Sequence, residues 1–222
     1  MKKTKLVDII KCMDFIGIIA DIVASRAGTD RRQLQKKLIN ELKNLNSDRG
    51  DVLASPYTVT LGDEFQALYH SPFGLFADLW RISAVLHPAR LRYSIALGRL
   101  TTPVNKKQAL GMDGPVFHIA RSGIEQAKEL GTMFRVGGEI TSLELINDSL
   151  TLISHLARNW SSNRLAIEAD LSTGKPVKEI SKRVGISVSG VYKNINAAAL
   201  DTITAITHGI ERAIEQGKGH GQ

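Results

Sequence analysis

The chain contains a single cysteine, Cys12, in 222 residues. No internal disulfide framework and no Cys-based zinc site is therefore available, and this usage fits a reducing cytosol, so a cytoplasmic location is expected. No stretch approaches 18 uninterrupted apolar residues, so no membrane-spanning helix is expected. Asp8, Lys11 and Asp14 interrupt the first apolar stretch and leave no h-region for a secretory signal. The chain also lacks a Gly-rich phosphate loop and any visible Ser/His/Asp or Cys/His constellation. P-loop ATPase and hydrolase chemistry are poor readings for that reason. Internal repeats and low-complexity tracts are absent as well.

What is there is the composition of an ordinary globular protein, 43% hydrophobic and 23% charged. The length suits one good core, or a domain of about 150 residues with a small appendage. A net charge of +7 favours a polyanionic partner. Residues 1–150 hold 20 basic and 16 acidic side chains and residues 151–222 hold 9 and 6, so the excess does not locate the contact.

Residues 13–23 (MDFIGIIADIV) read as a central strand with apolar residues on both faces. Leu34, Leu38, Leu42 and Leu45 recur at helical spacing in the next segment. Residues 48–56 look like a turn. YTVTLGD and EFQALYH form a hairpin around Gly62-Asp63-Glu64. Pro72 opens a second helix with Phe73, Phe76, Leu79, Trp80 and Ile82 on its apolar face. RLRYSIALGRL is a strand, GPVFHIARSGIEQAKEL a helix, TMFRVGG a strand and SLELINDSLTLISHLARNW a helix. The order β-α-β-β-α-β, extended by a helix and a strand, predicts an α+β, ferredoxin-like or palm-type domain over about residues 10–150, an antiparallel sheet with helices on one face.

Two acidic positions concentrate the chemistry. Asp21 ends the first strand and Asp63 sits in the hairpin, 42 residues later. On neighbouring strands, both would project from one end of the sheet, where carboxylate oxygens suit Mg²⁺ or Mn²⁺ held against a nucleotide's phosphates. Alternatively, Asp21 caps the next helix and Asp63 is a turn residue. Arg26 is placed to reach a phosphate or to pair with Asp30. Arg121 competes between a site role and a bridge to Glu125 one turn on. His118 reads as structural, and Trp80 and Phe73 as core.

From Asn163 the character changes. VKEISKRVGISVSGVYKNI carries a tri-helical pattern with Ile180, Val184, Ile186, Val191 and Ile195 inward and Gly185 at the tight turn. An all-α helix-turn-helix domain is expected over about 155–215, then a frayed tail at 216–222. Its second helix would present Ser187, Ser189, Gly190, Tyr192, Lys193 and Asn196 to double-stranded DNA. Lys175, Lys178, Lys182 and Arg183 would meet phosphates, most effectively in a homodimer. A helical hairpin that packs on the first domain or dimerises is the alternative.

ADIVASR around Asp21, TLGDEFQ around Asp63 and GPVFHIARS around Arg121 resemble the nucleotidyl-cyclase palm of class III adenylyl cyclases and diguanylate cyclases. As a whole, the chain resembles the SatD family of small bacterial proteins with a C-terminal helix-turn-helix. The cyclase resemblance implies that Asp21 and Asp63 bind metal, with the backbone carbonyl of Ile22 as a further ligand. It also implies that Ala24 and Ser25 offer amides to a nucleoside triphosphate, that Glu64 matches a second acidic hairpin residue, and that Arg121 stabilises the α-phosphate. The ribose-orienting Asn position holds Phe117 and the base-reading Lys position holds Val59. Phosphoryl transfer depends on positioning and charge stabilisation, so these departures favour binding over turnover. The expected function is a DNA-binding regulator whose palm-like domain senses a nucleotide and metal. The alternatives are an active metal-dependent nucleotidyl cyclase or oligonucleotide synthase with a DNA-binding tail, and a non-catalytic dimerisation module.

Overall fold

A computed structural model of the chain describes residues 13–23 and 31–219. In order these form β1 (Asp14–Val23), α1 (Arg31–Asp48), β2 (Leu53–Val59), β3 (Glu64–Tyr69), α2 (Leu75–Leu86), β4 (Arg90–Arg99), α3 (Pro115–Leu130) and β5 (Phe134–Gly137). Five helices follow or complete the chain: α4 (Leu143–Ala157), α5 (Ser162–Leu171), α6 (Val177–Val184), α7 (Val188–Ala198) and α8 (Leu200–Gly217). The fold is α+β. No helix among the described residues is long and apolar enough to cross a membrane.

The sheet order is β2-β3-β1-β4-β5. Pairing is antiparallel except between β4 and β5, which α3 connects in parallel. β1 is central, and its isoleucines explain why. Ile16, Ile18, Ala20 and Ile22 face one side while Phe15, Gly17 and Ile19 face the other, and every one of the apolar side chains is buried.

Helices cover both faces, where the sequence led us to expect one. The larger side packs against α1, α2, α4 and the C-terminal helices. Among the described residues the other carries α3 alone, over Phe15, Ile19, Leu68 and Ala96. Glycines on that face let the start of α3 lie almost on the strand backbone. A Cβ on Gly17 would come within 2.8 Å of Val116 Cγ2, and one on Gly98 within 2.9 Å of the Val116 amide nitrogen.

Two local expectations are corrected. The stretch expected as a turn over 48–56 contains the start of β2, which tolerates Pro56 because it is an edge strand whose register shifts on either side of Ser55. Phe73 is 49% exposed rather than core, because α2 starts two residues later. Trp80 is fully buried, and its ring lies 5.4 Å from that of Trp160.

Apolar side chains of the last sixty residues belong to the same hydrophobic cluster as the sheet, including Leu165, Ile180, Val191, Ile195 and Ile203. α5 packs on α2, and α8 packs back on α2, α4 and α5, ending with Gly217 beside Leu97 of β4. The start of α2 has no side-chain cap because Gly74 occupies the position. Glu211 of α8 supplies one, accepting the Phe76 amide at 3.1 Å. Beyond residue 216, where a tail was expected, α8 reaches Gly217. Lys218 then donates to the His70 carbonyl and the Gly219 amide donates to Asp14 at 2.6 Å.

Glu168 of α5 is fully buried; Thr204 of α8 donates to one oxygen at 2.9 Å and the other has no partner among the described residues. Burial pushes its carboxyl up to about 8 from an ordinary value of 4.5. The folded state keeps the proton that the unfolded chain releases. Stability from this group is therefore complete below about pH 4.5 and is lost as pH rises towards 8. Glu168→Gln is expected to raise the melting temperature by several degrees at pH 8.5 and hardly at all at pH 5. Equal shifts at both pH values in a thermal melt would show that the carboxyl is not the titrating group.

Candidate functional site

The carboxyl end of β1 brings together Asp21, Asp63, Glu64 and Arg121. In the β1–β3 pairing Asp21 stands directly opposite Glu64, and in the β1–β4 pairing it stands opposite Arg92. Directly opposed residues project from the same face, so three charges lie in a row across three strands. The Ile22 amide donates to the Asp63 carbonyl at 3.1 Å, which ties the hairpin turn to the end of β1. Asp63 itself is exposed in that turn.

α3 supplies charge from above. Arg121 makes a two-pronged contact with Glu64, with Nη1 on Oε2 and Nη2 on Oε1 at 2.9 Å. Thr60 donates to the same carboxylate at 2.8 Å. The hydrogen bond from Arg121 is the main reason why the Glu64 carboxyl is held below its usual range, and Glu64 in turn raises Arg121. Arg121 thus turns to the hairpin rather than to Glu125, whose partner is Lys128 at 3.0 Å.

Asp21 behaves in the opposite sense. Burial raises its carboxyl above the usual range, and the charges of Asp63 and Glu64 push the same way, against Arg92 and Lys128. Asp21 Oδ1 lies 3.2 Å from Arg92 Nε, yet neither atom completes a hydrogen bond. The two attract as charges but are misaligned as donor and acceptor. Asp21, Asp63 and Glu64 offer oxygen donors, which fit a hard cation in kind. Among the described residues, however, no three His, Cys, Asp or Glu side chains are grouped to hold a metal ion by themselves.

The remaining positions are placed as follows. Ala24, Ser25 and Arg26 lie outside the described residues. Phe117 is half-buried on α3 beside the smaller apolar cluster, and Val59 packs at the edge of the main core. His118 is largely exposed and 3.0 Å from Asp113. Arg92, Thr60 and Lys128 were not singled out in the sequence. The alternation of RLRYSIALGR puts Arg92 on one face with Ser94, but only the strand register sets it opposite Asp21.

The second group of residues surrounds α7. Ile180, Val191 and Ile195 are buried, and Gly185 turns the chain at φ 74°. Ser187 caps α7, accepting the Gly190 amide at 3.0 Å. Ser187, Ser189, Tyr192, Lys193 and Asn196 are all exposed, as is Lys182. Arg183 and Lys175 are engaged elsewhere. Both pair with the buried carboxylate of Asp170, Lys175 at 2.7 Å, and Arg183 also donates to the Ala166 carbonyl.

A family model described as the SatD family matches residues 15–203. The chain belongs to the SatD family. The matched span begins in β1 and runs into α8, so it includes the charged end of the sheet, Arg121 and the α6–α7 pair. A comparison with curated proteins gave no match.

The Asp21–Arg92 pair of this SatD-family chain predicts a simple stability test. Both side chains are mostly buried, so Arg92→Ala would strand a carboxylate and is expected to cost about 1–3 kcal/mol in urea unfolding. Adding Asp21→Asn should recover most of that loss. A double variant no more stable than Arg92→Ala would show that the pair is not coupled.

Proposed function

We propose that this protein is a DNA-binding regulator whose sheet-bearing part is a palm-like nucleotide and metal sensor. The observation that carries the reading is the division of labour on α7. Its apolar side is buried with Ile180, Val191 and Ile195, while Ser187, Ser189, Tyr192, Lys193 and Asn196 form an exposed row. This supports the reading of a helix-turn-helix with α6 and α7 as its two helices and Gly185 in the turn. Lys178, Lys182 and Lys193 have no carboxylate partner among the described residues, so they are the cations free for phosphates. Tyr192 and Asn196 would face base edges. An exposed row on α4, Leu145, Leu152 and Leu156, supports a homodimer, which would present two such helices.

The strand order β2-β3-β1-β4 with helices after β1 and β3 supports the reading of a ferredoxin-like or palm arrangement. Asp21 and Asp63 would hold Mg²⁺ or Mn²⁺ at the end of β1, with a nucleoside triphosphate supplying the remaining oxygens. Its phosphates would also relieve the two arginines of their present partners. A reducing cytoplasmic setting suits the single cysteine.

For DNA, fluorescence anisotropy on duplexes from the chain's own upstream region should show steep salt dependence. About six phosphate contacts in a dimer would lose roughly a thousandfold in affinity between 50 and 200 mM salt. Lys182→Ala should weaken all sequences alike, whereas Tyr192→Ala or Asn196→Ala should blunt discrimination between them. Binding left unchanged by all three substitutions would overturn the assignment of α7.

For the sensor, Asp63→Asn is expected to fold normally, because the side chain is exposed, and to lose stabilisation by Mn²⁺ plus triphosphate. A ligand at 100 times its Kd adds about 2.7 kcal/mol, which a melt resolves readily. Identical shifts in wild type and variant would remove the metal site. Arg121 beside the acidic row also keeps a second reading, an active cyclase or oligonucleotide synthase. Labelled product from any triphosphate with Mg²⁺ or Mn²⁺ would decide for it.

A further inference from the structure

A cavity of about 660 Å³ opens beside the end of β1, between the start of β4, the turn after α3 and the end of α4. Its volume is in the range that encloses a small organic ligand. Four cations line it, Arg90, Arg92, Lys128 and Arg158, and among the described residues no carboxylate does. Arg92 and Lys128 are partly committed to Asp21 and Glu125. Arg90 and Arg158 make no ion pair among the described residues and are exposed. Cations left this close together without counter-charge repel one another unless an anion joins them.

A second observation is independent of charge. Thr132 lines the same cavity, is 5% exposed, and its hydroxyl has no hydrogen-bond partner among the described residues. A buried hydroxyl without a partner costs stability that a bound acceptor would return. The remainder of the wall is apolar, with Leu91, Met133, Ala157, Trp160 and Leu165. One part of the lining therefore suits charged oxygens and another suits a ring.

We propose that this cavity binds a small phosphorylated ligand that carries a ring, of the nucleotide class, with Arg90, Arg158 and Thr132 on its phosphates and Trp160 beside its ring. Asp21 and Asp63 are not part of its lining, although Arg92 borders both places, and the site needs no divalent cation. It also spans two parts of the chain. Arg90 and Arg92 belong to β4, whereas Arg158 and Trp160 form the link from α4 to α5 and Leu165 lies on α5. A ligand there would bear on the segment that leads to α6 and α7. The inference is independent of whether those helices read DNA.

The test is calorimetry on the full chain in EDTA, with AMP, ATP and inorganic pyrophosphate as probes, and tryptophan fluorescence as a second signal. AMP or ATP is expected to bind and to perturb the fluorescence. The combined variant Arg90→Ala, Arg158→Ala should lower affinity about tenfold or more, because each removes a charge-assisted hydrogen bond. Both side chains are exposed, so the variant should fold. Asp63→Asn should bind as wild type does, which separates this site from the metal site. No binding of any probe at millimolar concentration, or affinity unchanged in the combined variant, would overturn the proposal. Pyrophosphate binding as tightly as ATP would overturn the role given to the apolar wall.

Discussion

The charged end of the sheet depends on how closely α3 lies on β1 and β4. Gly17, Gly98 and Gly137 leave no side chain between helix and strands; a Cβ on Gly137 would come within 2.6 Å of Ile119. With bulkier residues there the helix would stand off by the width of a side chain. Arg121 could then no longer meet Glu64 with both nitrogens, and Lys128 would lie farther from Asp21. Close packing of apolar residues at one end of α3 thus sets the electrostatics at the other.

Those electrostatics are nearly self-compensating. Glu64 is satisfied by Arg121 and Thr60, whereas Asp21 has a nearby but poorly aligned Arg92. The two carboxylates differ in pKa direction for that reason, one lowered by its donors and the other raised by burial. A cation arriving alone would have to displace an arginine from its partner. One arriving with an anion would not, since the anion's oxygens can take over the guanidinium groups as the metal takes the carboxylates.

Strands and helices were legible from periodicity because one or both faces of each are buried. The leucines of α1, the isoleucines of β1 and the Gly185 turn all stand where the pattern put them. Phe73 was misread because hydrophobicity does not reveal where a helix begins. Arg92 was invisible because it becomes part of the site only through strand register, a long-range property. The same holds for Arg158 and Thr132, far apart along the chain and brought to one cavity. Asp170 taking up Lys175 and Arg183 was hidden too, since a charged residue in a basic stretch reads as exposed until its burial is known.

The return of α8 makes the C-terminal helices a closed loop of chain rather than a pendant. They follow α4 at Ala157–Trp160 and are fastened again where Glu211 holds the Phe76 amide and Gly219 holds Asp14. With both ends anchored, α6 and α7 cannot swing as a tethered bead does. Cutting the chain after α7 would leave an unpaired amide and exposed apolar surface on α2, which makes the last helix part of the scaffold that the sheet itself requires.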